Sequence, residues 1–503
     1  MSKLKKIFKK QIKSLLKFCN IRITEFDLKE HHWPIIISAS LSIAFFILVS
    51  YFVTVSAYNA SDIIGQTDSE GIISYTTNFP NNSSPSNDGF SSPFHTEIDE
   101  INNRLFISDY NNNRVLVFNL DDNHDLLDYT ADYVFGQTDF TSFESGLSTS
   151  TMDSPLGLEY DSVSSTLFVS DSANNRVLVF DLNGGLEQGG GGMNASYVLG
   201  QSDFATSSSN VTTSTFNNPG GLSHSTSTNK LYVADRANNR VLIFDTAEIT
   251  NGEDAVDILG QTNFTNNSSA NTAEGFYFLT SLLVVNNEIF VTDGLNHRVL
   301  GFELDSSGLP VDNTADSVLG QTNFTNNSAS VSTSTINLPY DLAYDSTSST
   351  LFVVDANNAR VLLFDLSDGV TNGEDAIRIL GQESFDVSFT YQNNVNNITV
   401  TSDTLALTTG ITYSTTNNKL FVVDYNNNRV VVFDTSEVEN GEDAVDVLGQ
   451  TDASGLPVFT TNYANNSGTN NTGLYAPRGA VLDAVGNRLF IADNYNLEFL
   501  FLI

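Results

Sequence analysis

Leu105–Phe118 reads LFISDYNNNRVLVF, and near-copies of it recur through the chain. They are LFVSDSANNRVLVF from Leu167, LYVADRANNRVLIF from Leu231, IFVTDGLNHRVLGF from Ile289, LFVVDANNARVLLF from Leu351, LFVVDYNNNRVVVF from Leu420 and LFIADNYNLEFLFL from Leu489. Each copy is two short apolar strands joined by a polar, Asn-rich turn, which is the signature of a β-hairpin. The aspartates fall at 109, 171, 235, 293, 355, 424 and 493, spacings of 58 to 69 residues. A period of that length points to a propeller or a solenoid, built by stacking one small unit on the next.

Working outward, a weaker apolar stretch precedes each hairpin, as in SPLGLEYD from Ser154 and LPYDLAYD from Leu338. A further strand ending in Gly-Gln follows six of them, with its glycine at 136, 200, 260, 320, 381 and 449. Four strands per unit make a propeller blade. The seventh Gly-Gln strand, around Gly65, comes before the first hairpin, while the last hairpin runs to Ile503 with nothing after it. Lending residues 61–68 to the final blade completes it and removes the open sheet edges that invite aggregation. The expectation is an all-β, seven-bladed propeller of four-stranded blades closed by an N-terminal strand.

The repeated pattern resembles the NHL repeat family, whose motif is an apolar strand, Asp, two residues, Asn, one residue, Arg and a second apolar strand. Six units carry it: Asp109 with Arg114, Asp171 with Arg176, Asp235 with Arg240, Asp293 with Arg298, Asp355 with Arg360, and Asp424 with Arg429. The seventh keeps Asp493 and Asn496 but has Glu498 in place of the arginine. The resemblance covers residues 58–503 and implies a fold rather than an activity, because NHL-like propellers serve both as enzymes and as binding scaffolds. The turn set itself reads as structural. Asp and Asn in tight turns bond nearby backbone amides, and seven copies of one device suit a task that every blade shares.

Charge divides the chain unevenly. Residues 1–33 hold nine Lys/Arg against three Asp/Glu, a net of +6, and the remainder holds thirteen against fifty-six, a net of −43, which together make −37 for the whole. Such a field repels phosphate backbones, so nucleic acid is not an expected partner of the large part. Between the two, IIISASLSIAFFILVSYFVTVSA from Ile35 to Ala57 is 23 residues without a charge, long enough for a spanning helix. The Lys/Arg excess before it places that side in the cytoplasm. The expected organisation is therefore a basic cytoplasmic tail (1–33), a transmembrane signal anchor (34–57) and an extracytoplasmic propeller (58–503), with a cleaved signal peptide as the competing reading. The sole cysteine, Cys19, lies in the tail, so the propeller contains no disulfide.

Function is expected where the repeats differ, along the innermost strands that line the central channel. Aligned on Pro93, Pro155, Pro219, Pro339 and Pro477, those strands offer His95 and Glu97, Glu159, Asp341 and Arg478 as channel-side candidates, where other units have Gly157, Gly221, Ser281, Gly410 and Gly479. His95, Glu97 and Asp341 together have the ligand types of a divalent cation site such as Ca2+. The leading expectation is a membrane-anchored binding or scaffold module for protein or glycan ligands, without cofactor. The alternative is a metal-dependent hydrolase or lyase working at the channel.

Overall fold

The structure, a computed structural model, describes residues 60–65, 85–186, 192–386, 400–452, 456–464, 473–496 and 498–502. These belong to one unit, Ala57–Ile503, and they form seven sheets, antiparallel but for one added strand. Six are each built from one continuous stretch of chain. In blade one the strands are Pro93–Asp99, Arg104–Asp109, Arg114–Asn119 and Tyr133–Phe135, and the order from channel to rim follows the sequence. Blades two to six repeat this plan, their inner strands starting at Pro155, Pro219, Leu279, Pro339 and Thr408. The last sheet is composite. Pro477–Asp483, Arg488–Asp493 and Glu498–Leu502 supply three strands, and Ala60–Ile64 pairs antiparallel with Glu498–Leu502 to give the fourth.

Three parts of the expected fold class are corrected. In place of seven like blades, the described residues form six blades whose main strands are consecutive in the chain and one composite sheet. Blade one is not four-stranded: Gly192–Met193, from the loop after blade two, adds a fifth strand in parallel to Tyr133–Phe135. The expected transmembrane helix is not among the described elements: no helix among the described residues is long and apolar enough to cross a membrane. The described fold is all-β, with six continuous blades and one composite sheet, and its only helices are single 3-10 turns. The tail and apolar segment, residues 1–57, lie outside the described residues.

The core is divided in the same way as the chain. Apolar side chains on both faces of each sheet pack against the next, so every hydrophobic cluster joins two neighbours. Tyr232, Val241 and Ile243 of blade three meet Leu282, Val291 and Phe302 of blade four, and Ile64, Phe490 and Ala492 of the composite sheet meet Leu105, Ile107 and Phe118 of blade one. Stability accrues through these repeated interfaces rather than through one central core.

A polar latch holds each hairpin. In blade three the chain turns through the 3-10 segment Arg236–Asn238 and the left-handed residue Asn239, which sets Asp235 opposite Arg240 across the hairpin. Asp235 Oδ2 accepts from Arg240 Nε (2.6 Å) and Asn238 Nδ2 (2.9 Å), and its Oδ1 accepts from the Asn217 amide (2.6 Å). The rest of the guanidinium donates to carbonyls of two loops: Phe264 after the outer strand, and Thr212 and Thr215 before the inner one. The Asp–Arg pair recurs in all six continuous blades with both side chains inaccessible. The Gly-Gln pair is part of the same device. Gln261 Nε2 donates to Asn239 O and Ser268 O, and Gly260 takes a left-handed φ of +82° where a Cβ would lie 1.9 Å from the Phe276 ring. In the composite sheet Asp493 keeps its bonds from Asn496 and the Tyr475 amide. Burial drives its pKa well above the ordinary carboxylate range.

Two measurements test this account. Arg240→Ala leaves Asp235 without its charge partner and three loop carbonyls without their guanidinium donor, and is expected to cost about 3–5 kcal/mol; an unchanged denaturant midpoint contradicts the latch. Removing residues 60–64 exposes the edge of Glu498–Leu502, so the shortened chain should melt earlier and scatter more light on heating. Equal melting and scattering would show that the pairing contributes nothing to the ring.

Candidate channel-mouth site

The inner strands converge on a cavity of about 180 Å³ lined by residues of all seven sheets. It is formed mainly by the second to fourth residues of each inner strand. Because each inner strand is the free edge of its blade, its backbone amides face the channel unpaired and need acceptors from the neighbouring blade. Side chains at the third and fifth positions supply some of these. The Leu158 amide donates to His95 Nδ1 (3.3 Å), the His224 amide to Glu159 Oε1 (2.8 Å) and the Ile411 amide to Asp341 Oδ2 (3.1 Å). Ser281 Oγ donates to Asp341 Oδ1 (2.9 Å). Three of the five channel candidates are thus bound into blade-to-blade contacts.

Of those five, His95, Asp341 and Arg478 line the cavity, while Glu97 and Glu159 do not. The two glutamates lie two residues further along their strands, near enough for Glu159 to raise Glu97. Glu97 and Glu159 keep partial solvent contact, yet protein surrounds them. Burial, with repulsion from Glu159 added, pushes Glu97 well above the usual range. Burial also pushes Glu159 up to about 8 against the bond from His224. Burial raises Asp341 to about 6 and lowers His95 to about 4, so the imidazole is neutral and free to accept at Nδ1. Among the described residues no three His, Cys, Asp or Glu side chains stand close enough to hold a metal ion. His95, Glu97 and Asp341 are therefore not gathered into one ligand set.

The upper layer of the cavity has a different chemistry. Arg478 lies between two aromatic faces, 5.1 Å from the centre of Tyr425 and 5.2 Å from that of Phe94, and Phe94 in turn leans on Tyr110 at 6.1 Å. Arg236, from the turn of blade three, lies 4.9 Å from the centre of the Phe278 ring. Its stem crosses Gly220, where a Cβ would come within 2.3 Å of Arg236 Cδ. Tyr340 completes the wall from blade five. Each such contact of a guanidinium with an aromatic face contributes about 0.5–2 kcal/mol and fixes the cation in place. Arg236 was not among the sequence candidates. Its position directly after the repeated aspartate is the variable place of the turn, occupied elsewhere by Tyr110, Ser172, Gly294, Ala356, Tyr425 and Asn494, and that variability is the signal that marks it.

The remaining histidines of the propeller have structural partners. His297 stands where four other blades have Asn113, Asn175, Asn239 and Asn428, and its Nδ1 accepts the Leu338 amide of the next blade as those asparagines do with theirs. His124 is buried, with Nδ1 2.8 Å from Asp483 Oδ1 across the seam between blade one and the composite sheet.

The NHL repeat family matches residues 216–244, which run from the approach to the inner strand of blade three to the end of its hairpin. That match covers one repeat, and together with the propeller arrangement of the sheets it supports an NHL-repeat propeller. No curated protein matches the chain.

The glutamate pair makes a pH-dependent contribution whose sign is fixed by the raised pKa. A carboxyl raised to about 8 in the folded state binds its proton more tightly there than in the unfolded chain. The stabilisation is complete below the unfolded value of about 4.3 and is lost as pH rises through about 8. Glu159→Gln retains an oxygen for the His224 amide and removes the titration. The variant should gain roughly 1–2 kcal/mol relative to wild type between pH 5 and pH 8, the full linkage being reduced by solvent in the channel. Parallel stability–pH curves for the two proteins would contradict this.

Proposed function

We propose that this NHL-repeat propeller is a binding scaffold for a protein ligand and that it receives the ligand on the face carrying the arginine–aromatic mouth. The observation that carries the reading is a division of labour among polar groups. The repeated Asp, Asn, Arg and Gln side chains are buried in latches within each blade, whereas the residues that differ between blades collect around the channel mouth. Tyr475 and Tyr495, 5.1 Å apart in an edge-on pair and 37% and 51% exposed, extend the aromatic surface outward from Tyr425. Exposed tyrosines beside arginines are the side chains that most often anchor protein interfaces. Glycan ligands suit the same aromatic surface but leave the two guanidinium groups without a matching charge, so a protein ligand is preferred. An extracytoplasmic setting belongs to this proposal and rests on the charge asymmetry of residues 1–33.

Random-peptide display against the full chain tests the reading. Enriched sequences should lose tenfold or more in affinity on Tyr495→Ala or Tyr110→Ala, corresponding to an anchor of about 1.4 kcal/mol or more. The proposal fails if no sequence is enriched, or if enriched sequences bind both variants as they bind the wild type.

A further inference from the structure

Thirteen lysines and arginines serve the whole of residues 58–503, against fifty-six acidic side chains. Six are the latch arginines. Four more face carboxylates: Arg104 at 3.9 Å from Asp99, Lys230 at 3.2 Å from Asp245, Lys419 at 2.7 Å from Asp434 and Arg488 at 2.5 Å from Asp125. Three are left without a carboxylate partner among the described residues. Arg378 is exposed on the flank of blade five and donates to the carbonyls of Val438 and Ile377. The other two, Arg236 and Arg478, both line the channel mouth. In a chain this acidic, cations are paired wherever geometry permits. The one carboxylate lining that cavity, Asp341, is already bonded by Ser281 Oγ and the Ile411 amide, so two cations held by aromatic stacking and in no ion pair are left for a charge from outside the chain.

Their placement narrows that charge. Arg236 comes from blade three and Arg478 from the composite sheet, so they enter from opposite sides of the ring. Arg236 Nε is buried without a hydrogen-bond partner, an unmet donor that costs free energy until an acceptor arrives. Guanidinium forks match the two oxygens of a carboxylate. The cavity volume of about 180 Å³ is below that of sites for drug-sized ligands, and it admits a short chain rather than a sugar ring system or a nucleotide. We propose that the channel mouth binds a short dicarboxylate, free or presented as an acidic residue at the carboxyl terminus of a peptide, with one carboxylate at Arg236 and the other at Arg478. This rests on the proposed function only for the face of the ring that is used.

The test uses the full chain and glutarate as the probe, followed by saturation-transfer NMR and by calorimetry. Glutarate should bind, butyrate should bind at least tenfold more weakly, and glutaramide should not bind. Arg236→Met and Arg478→Met should each weaken glutarate at least tenfold, and Arg378→Met should leave it unchanged. Should Arg236→Met lower the melting temperature, Arg236→Lys, which keeps the charge but loses the fork, is expected to bind with intermediate affinity. Equal binding of glutarate and glutaramide, or indifference to both mouth arginines, overturns the proposal. Tighter binding of inorganic phosphate than of glutarate overturns the choice of carboxylate. A peptide carrying a C-terminal glutamate, compared with its amidated form, separates the two sources of the ligand. Failure of glutarate alongside successful peptide display would remove the dicarboxylate site and leave the scaffold; the reverse outcome would remove the scaffold and leave the site.

Discussion

Each buried guanidinium of the latch does two things that no apolar residue does at once: it neutralises an aspartate out of reach of water and it closes the hydrogen bonds of two separate loops. Its five donors in a rigid plane reach the Asp across the hairpin, a carbonyl after the outer strand and carbonyls before the inner strand. The hairpin, its exit and its entry are thereby tied to one group. Since the loops so tied are those that lead into and out of a blade, the latch fixes where each blade begins relative to its own hairpin. The Asn in the left-handed position then bonds the next blade. Angular placement around the ring follows from a local motif.

That locality is why so much of the fold was legible in the sequence. The hairpin strands, the turn and the Gly-Gln strand are short-range patterns repeated several times, so errors in one copy are corrected by the others. Aligning the inner strands on proline also placed their starts correctly, at Pro93, Pro155, Pro219, Pro339 and Pro477. The closing partnership was legible for another reason: a strand spare at one end and missing at the other leaves a single economical solution. The fifth strand of blade one was not visible. Gly192–Met193 sits in a glycine-rich loop with no alternation of its own, and its pairing depends on where blade one happens to lie.

The site was read less completely. Alternation along a strand tells which face a side chain takes but not its depth, so Glu97 and Glu159 were grouped with His95 and Asp341 although they lie beyond the cavity. The inner strands also carry an irregularity between their first and fourth residues, which a simple two-residue period does not register. Arg236 escaped because it belongs to a turn, and turns were read as structural. Only the three-dimensional arrangement shows its stem crossing Gly220 toward the channel.

The composite sheet joins the two extremities of the propeller side by side, with Ala60 opposite Leu502. A cyclic order of this kind has no intrinsic beginning. The blades share one mode of packing against their neighbours, so the contacts of the ring do not depend on which of its connections is open. Linking the old ends and cutting any exposed connection elsewhere would yield a circular permutant with the same contacts, whose seam had simply moved around the circumference.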